Sequence, residues 1–274
     1  MAAKEGFSLK AYKPLSGGDI NDTFLLITTN ENLVIKLNNK DAFPEMFAKE
    51  AKGLQLLNSA NALKIPEVVS FGEIENTSYL LLEYIPEGKQ AHTFWKDFGI
   101  GLAKQHQTTQ ATFGLDHDNY IGSLPQNNSG NIQNAADFYT EKRLEPQFQI
   151  AAKQGFSFET TSFYKNIQHE IPDEAPALLH GDLWSGNYLV TSNGKPALID
   201  PAVAFAPREM DISLMHLFGG FQDEVFHYYD EEFPLANGWK NRIELWQLYY
   251  LLVHLNLFGS SYLGGVQRVI EKYS

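Results

Sequence analysis

Cysteine is absent from all 274 residues, which removes disulfides, thiolate nucleophiles and cysteine-ligated zinc. Basic residues are scarce: 21 Lys and Arg stand against 33 Asp and Glu, a formal net charge of −12. An acidic surface of this kind argues against nucleic-acid binding, which relies on Lys and Arg to neutralise phosphates. A single nucleotide is a different matter, because a few local donors and a metal suffice. Long apolar runs are missing too. The most apolar segment, 245–258, is broken by His254 and Asn256 and is too short to cross a bilayer. The first residues, Met1-Ala-Ala-Lys-Glu, contain no apolar stretch of signal-peptide type. A soluble, cytoplasmic protein with no membrane partner is expected. Its hydrophobic share of 43% is enough to build a core, and its length suits one large domain or two lobes sharing a cleft.

What the chain does contain is concentrated in Leu179-His-Gly-Asp-Leu-Trp-Ser-Gly-Asn187 and, shortly after, Ala197-Leu-Ile-Asp200. Phosphoryl transfer from a nucleotide needs a carboxylate to accept a hydroxyl proton and oxygen ligands for Mg²⁺. Asp182 is the candidate base; Asn187 and Asp200 are the candidate metal ligands. Two short strand-like runs, 188–190 and 197–199, flank Asn193-Gly194, a strong hairpin signal because a type I′ turn needs positive φ at both central residues. That turn pairs Val190 with Ala197, Tyr188 with Ile199 and, one step on, Asn187 with Asp200. Neighbours across such a pair lie roughly 5 Å apart at Cα, so the two side chains would flank one ion.

The first part of the chain reads as strands. Leu33, Ile35 and Leu37 alternate with Val34 and Lys36 on the opposite face. Ahead of them, a turn-rich segment around Gly17 and Gly18 makes a hairpin tip whose backbone N–H groups are candidates to cover phosphates. A helix is expected from a cap near Asp41, with Pro44 in its first turn, to about Asn58. Met46, Glu50, Leu54 and Leu57 share one face of it, which leaves Glu50 as a carboxylate in an apolar stripe. Lys36 is its natural partner, and a Lys–Glu pair of this kind positions α/β-phosphates in kinases. Residues 79–85 form a buried strand that ends one lobe, with Glu83, Tyr84 and Ile85 offering backbone groups to adenine. We therefore expect an N-terminal nucleotide-binding lobe over 1–85 and a C-terminal catalytic and substrate-binding lobe over 86–274. The latter reads as mostly helical, with helices over 135–147 (ending near Pro146), 162–170 and 242–258. Trp95, Phe98, Leu102 and His106 share a helix face, and His106 is expected in the core. Trp239, Trp246, Tyr249 and Tyr250 are expected to pack.

These motifs resemble the fructosamine kinase (ketosamine-3-kinase) family. Besides the stretches above, Asp118-Asn-Tyr-Ile-Gly-Ser123 with Pro125-Gln126, Glu141-Lys-Arg-Leu-Glu-Pro-Gln147, Arg208-Glu-Met-Asp-Ile212 and Leu217-Phe-Gly-Gly-Phe221 fit it, covering nearly the whole chain. The resemblance implies an α+β, protein-kinase-like bilobal fold: a small antiparallel-sheet N-lobe with one helix, and a larger, mostly helical C-lobe. It also implies ATP, Mg²⁺ and phosphorylation of the 3-hydroxyl of a ketosamine, with Asp182 as base, Asn187 and Asp200 on the metal, and Lys36 on the phosphates beside Glu50. Trp184 would shape the sugar pocket, and Asp211 would orient the catalytic loop.

Four features depart from relatives. Pro201 stands where protein kinases carry Phe, and it is expected to keep Asp200 extended. No Ala-Pro-Glu motif or activation loop follows. Asp19 lies where some family members have a cysteine, and Asn134-Ala-Ala-Asp137 lacks the tryptophans often found there. Two alternatives remain: a kinase of another small alcohol, such as an aminoglycoside or choline, and a catalytically silent kinase-like binding module.

Overall fold

A computed structural model of the chain describes residues 5–15 and 20–274. Five strands, β1 (Leu9–Pro14), β2 (Asp22–Thr28), β3 (Asn32–Asn39), β4 (Val68–Ile74) and β5 (Thr77–Glu83), form an antiparallel sheet in the order β1-β2-β3-β5-β4. Helix α1 (Met46–Ser59) is inserted between β3 and β4. Strand alternation divides the sheet's side chains between two cores. Leu33, Ile35, Tyr79 and Leu81 join Leu26 on one face. On the other, Leu80 and Leu82 meet Phe47, Ala51, Leu54 and Leu57 of α1. Lys36 and Val34 lie on this α1 side, as their alternation requires.

The α1 cap differs from expectation. Glu45, not Asp41, is the N-cap, in a left-handed conformation (φ 58°). The Asn39 side chain instead accepts from the N–H groups of Asp41 and Ala42 and ends β3 in a turn.

Residues 84–93 lead from β5 into α2 (Phe94–His106), and the rest is mainly helical. Short strands β6 (Asn119–Ile121) and β7 (Leu124–Gln126) precede α3 (Ala135–Phe138), a π turn (Tyr139–Leu144) and α4 (Glu145–Lys153). Pro146 was expected to end this helix. It sits instead in the first turn of α4, where a missing N–H costs little because the wider π turn has already shifted the hydrogen-bond ladder. After α5 (Thr161–Glu170) come β8 (Ala177–Leu179), β9 (Tyr188–Val190), β10 (Pro196–Leu198) and β11 (Ala204–Ala206). Helices α6 (Glu209–Phe218), α7 (Asp223–Glu232), α8 (Trp239–Phe258) and α9 (Leu263–Tyr273) complete the chain. Trp246, Tyr249 and Tyr250 are buried, with Trp239 partly so.

The core beneath α1 does not stop at the sheet. Phe94, Trp95, Phe98 and Leu102 of α2, together with Leu178, Leu183 and Leu198, belong to the same cluster as Leu54 and Leu80. A second large cluster fills the helical part, centred on α8. Among the described residues, no helix is long and apolar enough to cross a membrane.

Candidate active site

Two short strand pairs hold the loops that carry the chemistry. β8 pairs with β11, Leu179 opposite Ala204, and the Ala202 N–H donates to the His180 carbonyl at 2.9 Å. From below, the fully buried Asp211 accepts from the N–H groups of His180 and Gly181, both at 2.8 Å. His106 lies 3.2 Å from the same carboxylate, and its other ring nitrogen is 2.8 Å from the Tyr229 hydroxyl. His180 Nε2 is 2.9 Å from the Ile199 carbonyl. A carbonyl only accepts, so Nε2 carries the proton and Nδ1 is left to accept from the Asp182 N–H at 3.3 Å. Burial lowers the His180 pKa, against opposing contributions led by Asp211. One neutral imidazole thus joins the Asp182 loop to the segment leading into Asp200.

Asn187 Nδ2 donates to the Asp182 carbonyl at 2.8 Å and to Asp182 Oδ2 at 3.0 Å. Burial pushes the Asp182 carboxyl up to about 7; the Asn187 bond opposes this, while the charges of Asp200 and Asp211 add to it. A carboxylate poised near neutrality is suited to accept a hydroxyl proton. Because its amide nitrogen is engaged, Asn187 has Oδ1 as its remaining donor to a cation.

The hairpin between Asn187 and Asp200 has a different register from the expected one. Val190 pairs with Pro196, Leu189 with Ala197 and Tyr188 with Leu198, and the Ile199 N–H donates to the Asn187 carbonyl at 3.0 Å. Asn187 therefore faces Ile199, one residue short of Asp200. The cause is the turn. Thr191 and Lys195 close a three-residue loop in which the Gly194 N–H donates to the Thr191 carbonyl at 2.8 Å. Gly194 alone in that loop has positive φ (78°), as in a type I turn followed by a left-handed residue. The Thr191 hydroxyl caps it, donating to the Lys195 carbonyl at 2.8 Å and accepting from the Lys195 N–H at 3.0 Å.

Asp200 nevertheless turns back into the site, because it is not extended. Its φ is 56°, a left-handed conformation that overrides the bias from Pro201. This brings Oδ1 within 2.7 Å of Lys36 Nζ. Lys36 in turn lies 2.6 Å from Glu50 Oε1. Burial alone would lower the Lys36 pKa, but Asp200 and Glu50 together outweigh it and hold the ammonium above its ordinary value. Burial pushes Glu50 up, with Lys36 opposing.

Lys36, Glu50, Asp182, Trp184, Asn187 and Asp200 all border one cleft of about 890 Å³, while Asp211 lies buried behind the loop it holds. Glu83, Tyr84 and Ile85 form part of its wall. The Glu83 carboxylate is occupied by Lys64 at 2.6 Å and the Glu67 N–H at 3.1 Å, and the Glu83 N–H itself donates to the Glu67 carbonyl at 2.9 Å. Trp184 is 41% exposed. A Cβ on Gly186 would come within 2.2 Å of its ring, so the indole lies on the bare backbone of Gly186. Gly17 and Gly18 lie outside the described residues.

For a divalent cation, the available donors are Asp200 and Asn187 Oδ1. Among the described residues no cluster of three or more His, Cys, Asp or Glu forms a metal cage. Mg²⁺ does not require one, since it is commonly bound by one or two carboxylates plus phosphates and water. The residues fit that mode.

Two arrangements of residues were not read from the sequence, although the pocket around Trp184 and residues 119–126 was expected to discriminate substrates, and Asn119 to Gly122 do border the cleft. Buried Arg143 donates to the Asn127 carbonyl at 2.6 Å and to Asn128 Oδ1 at 2.7 Å. Asn128 and Gln126 both donate to Asn119 Oδ1, at 2.6 and 2.9 Å. Asn119 and Gln126 donate in turn to the carbonyls of Val203 and Ala202, at 2.8 and 3.0 Å. This network anchors the backbone just past Asp200. Its signal was present in the motifs at 118–126 and 141–147, but neutral amides carry no distinctive spacing. The second group, Phe218, His254, Phe258 and Tyr262, also lines the cleft.

A sheet lobe with a lysine–glutamate pair, set against a helical lobe that brings two carboxylates, Asp182 and Asp200, to the same cleft, defines an ATP-dependent phosphotransferase of the protein-kinase-like class. The family model for fructosamine kinases matches residues 1–274, and the chain belongs to that family. A probable ketoamine kinase of Lactiplantibacillus plantarum is 38% identical over 274 residues, covering 97% of this chain and 95% of its own. The crystal structure of a candidate fructosamine-3-kinase of Thermobifida fusca superposes with a TM-score of 0.88 at 30% identity, over 99% of this chain and 97% of the other. The aminoglycoside phosphotransferase APH(4)-Ia shares the fold at 19% identity (TM-score 0.65, covering 100% of this chain and 97% of that one).

Proposed function

We propose that the chain transfers the γ-phosphoryl group of ATP to the 3-hydroxyl of a ketosamine of fructosamine or ribulosamine type, in a deglycation role. The observation that carries this reading is the convergence on one cleft of Lys36, bridged to Glu50 and Asp200, with Asp182 held by Asn187. Residues 1–85 act as the nucleotide lobe and 86–274 as the catalytic lobe. Backbone groups at Glu83, Tyr84 and Ile85 take adenine, and Lys36, steadied by Glu50, takes the α/β-phosphates. Asn187 and Asp200 would hold Mg²⁺, which supplies charge neutralisation at the β/γ-phosphates. Asp182 orients the acceptor hydroxyl and takes its proton as the new O–P bond forms and the bond to the β-phosphate oxygen breaks, releasing ADP. Trp184 closes one side of the sugar site. The named activities of the relatives support the ketosamine as acceptor.

The test is ADP formation against matched ketosamines of different sugars and amines, with aminoglycosides and choline as controls. Turnover confined to ketosamines is expected. Preference for a control alcohol would replace the acceptor, and absence of Mg-ATP binding would remove the enzyme reading.

A further inference from the structure

One wall of the cleft has a chemistry that sugar phosphorylation does not use. Phe218 at the end of α6, His254 and Phe258 on the last turns of α8, and Tyr262 just beyond it border the same cleft as Asp182 and Trp184. His254 is the hub. Its ring centroid lies 4.9 Å from that of Phe218, 5.5 Å from Phe258 and 5.1 Å from Tyr262. The outer members are open to solvent, Phe218 at 41% and Phe258 at 50%. Trp184 and these two are the exposed large hydrophobic side chains of the helical lobe, and all three face one cavity. A packing cluster would bury such rings.

The histidine adds direction. Its Nδ1 is 2.8 Å from the Tyr250 carbonyl, which only accepts, so Nδ1 holds the proton and Nε2 presents a lone pair. Nε2 makes no hydrogen bond among the described residues, and burial keeps the ring below the usual histidine range. The wall therefore combines three π faces with a neutral nitrogen acceptor. Electron-rich ring faces attract an organic ammonium, and an imidazole lone pair accepts its N–H. Among the described residues, the only lysines or arginines bordering the cleft, Lys36 and Lys49, come from the sheet lobe and α1.

We infer that Phe218, His254, Phe258 and Tyr262 form a subsite for the substituted ammonium of the acceptor, so that the enzyme recognises a secondary amine carrying an aliphatic or aromatic group as well as the sugar. The inference rests on the ketosamine reading and deepens it. In a ketosamine the nitrogen is bonded to C1, two carbons from the 3-hydroxyl, and is protonated at neutral pH. With the hydroxyl at Asp182, the nitrogen and its substituent project towards a different part of the same cleft. The subsite selects for the charge and the apolar bulk of that substituent.

The test compares a ketosamine with its ether analogue, in which oxygen replaces the C1 nitrogen and the 3-hydroxyl is unchanged. The ratio of kcat/KM values for the two is measured in the wild-type protein, Phe258→Ala and His254→Phe. Phe258 is exposed and His254 half-buried, and Phe218→Leu serves as a third variant should either fold poorly. The amine-to-ether ratio should fall roughly 2- to 30-fold in Phe258→Ala, the range of a single ammonium–ring contact, and should also fall in His254→Phe. Equal loss on both substrates, or an unchanged ratio, overturns the inference. If the wild-type protein phosphorylates no ketosamine, the ketosamine reading itself has failed. In that case calorimetric titration of the Mg-ATP-loaded protein with N-benzylethanolammonium and its ether counterpart decides the subsite. Tighter binding of the ammonium, weakened in Phe258→Ala, supports it, and equal binding of the two overturns it.

Discussion

Asp200 adopts a left-handed backbone beside a proline, a conformation that costs an L-residue of order 1–2 kcal/mol, and its pairing with Lys36 offsets that cost. Strain of this kind concentrates where a side chain must be aimed, here into the cleft. Asp200→Ala should abolish Mg²⁺-dependent turnover; a variant with an ordinary Mg²⁺ titration would remove Asp200 from the metal. Asp182→Asn should lower kcat by roughly 10²–10⁴-fold, the contribution typical of a general base, while Mg-ATP still protects the protein in a thermal-shift assay. Unchanged turnover would sink the role. Asp118 offers a pH test away from the chemistry. It accepts from the Ser129 hydroxyl at 2.6 Å and from the N–H groups of Asn128 and Ser129 at 2.7 and 2.9 Å. Burial would raise its pKa, but these bonds outweigh it and hold the carboxyl at about 2. The folded value lies below the unfolded one of about 3.9, so Asp118 stabilises the fold above about pH 4 and that contribution is lost as pH falls towards 2. The Tm difference between wild type and Asp118→Asn should be full at pH 6 and shrink on acidification; a constant difference would refute the assignment.

At the level of elements, the features legible in the sequence were those written in residue type and short spacing. The Lys36–Glu50 pair followed from strand alternation meeting a helical stripe, and both periodicities survive in the structure. The β9–β10 register did not follow, because it depends on whether one or two turn residues take positive φ, and the Thr191 hydroxyl decides that from outside the Asn-Gly pair. The subsite on α8 was equally hidden. His254 interrupts an apolar run, and only the fold reveals that its face of the helix opens into the cleft. The amide network is the element-scale case with the largest expected effect on stability. Arg143→Met would leave the Asn127 carbonyl and the Asn128 side chain without their buried donor, a loss of about 2–6 kcal/mol at roughly 1–3 kcal/mol per orphaned group. Chemical denaturation measures it, and a loss below 1 kcal/mol would show that the network relaxes to satisfy itself.

Across the whole molecule, the bilobal arrangement could be read from the change from strand to helix periodicity near residue 85. The continuity of the core could not, since it joins residues from Phe47 to Tyr229. With the underside of the sheet, α1 and α2 sharing that cluster, the two lobes should melt together. Thermal unfolding is expected to give one transition, and Phe98→Ala, at a fully buried site, should destabilise it by about 3–5 kcal/mol. Two separated transitions would show that the lobes are independent. The seat of Trp184 on Gly186 bears on how such an enzyme can diversify. Any side chain at 186 would dislodge the indole, so the loop between Asp182 and Asn187 is closed to gradual change there. A descendant that acquires a different amine has to do so through exposed positions such as 218 and 258, where one mutation can alter the guest without disturbing the machinery that phosphorylates it.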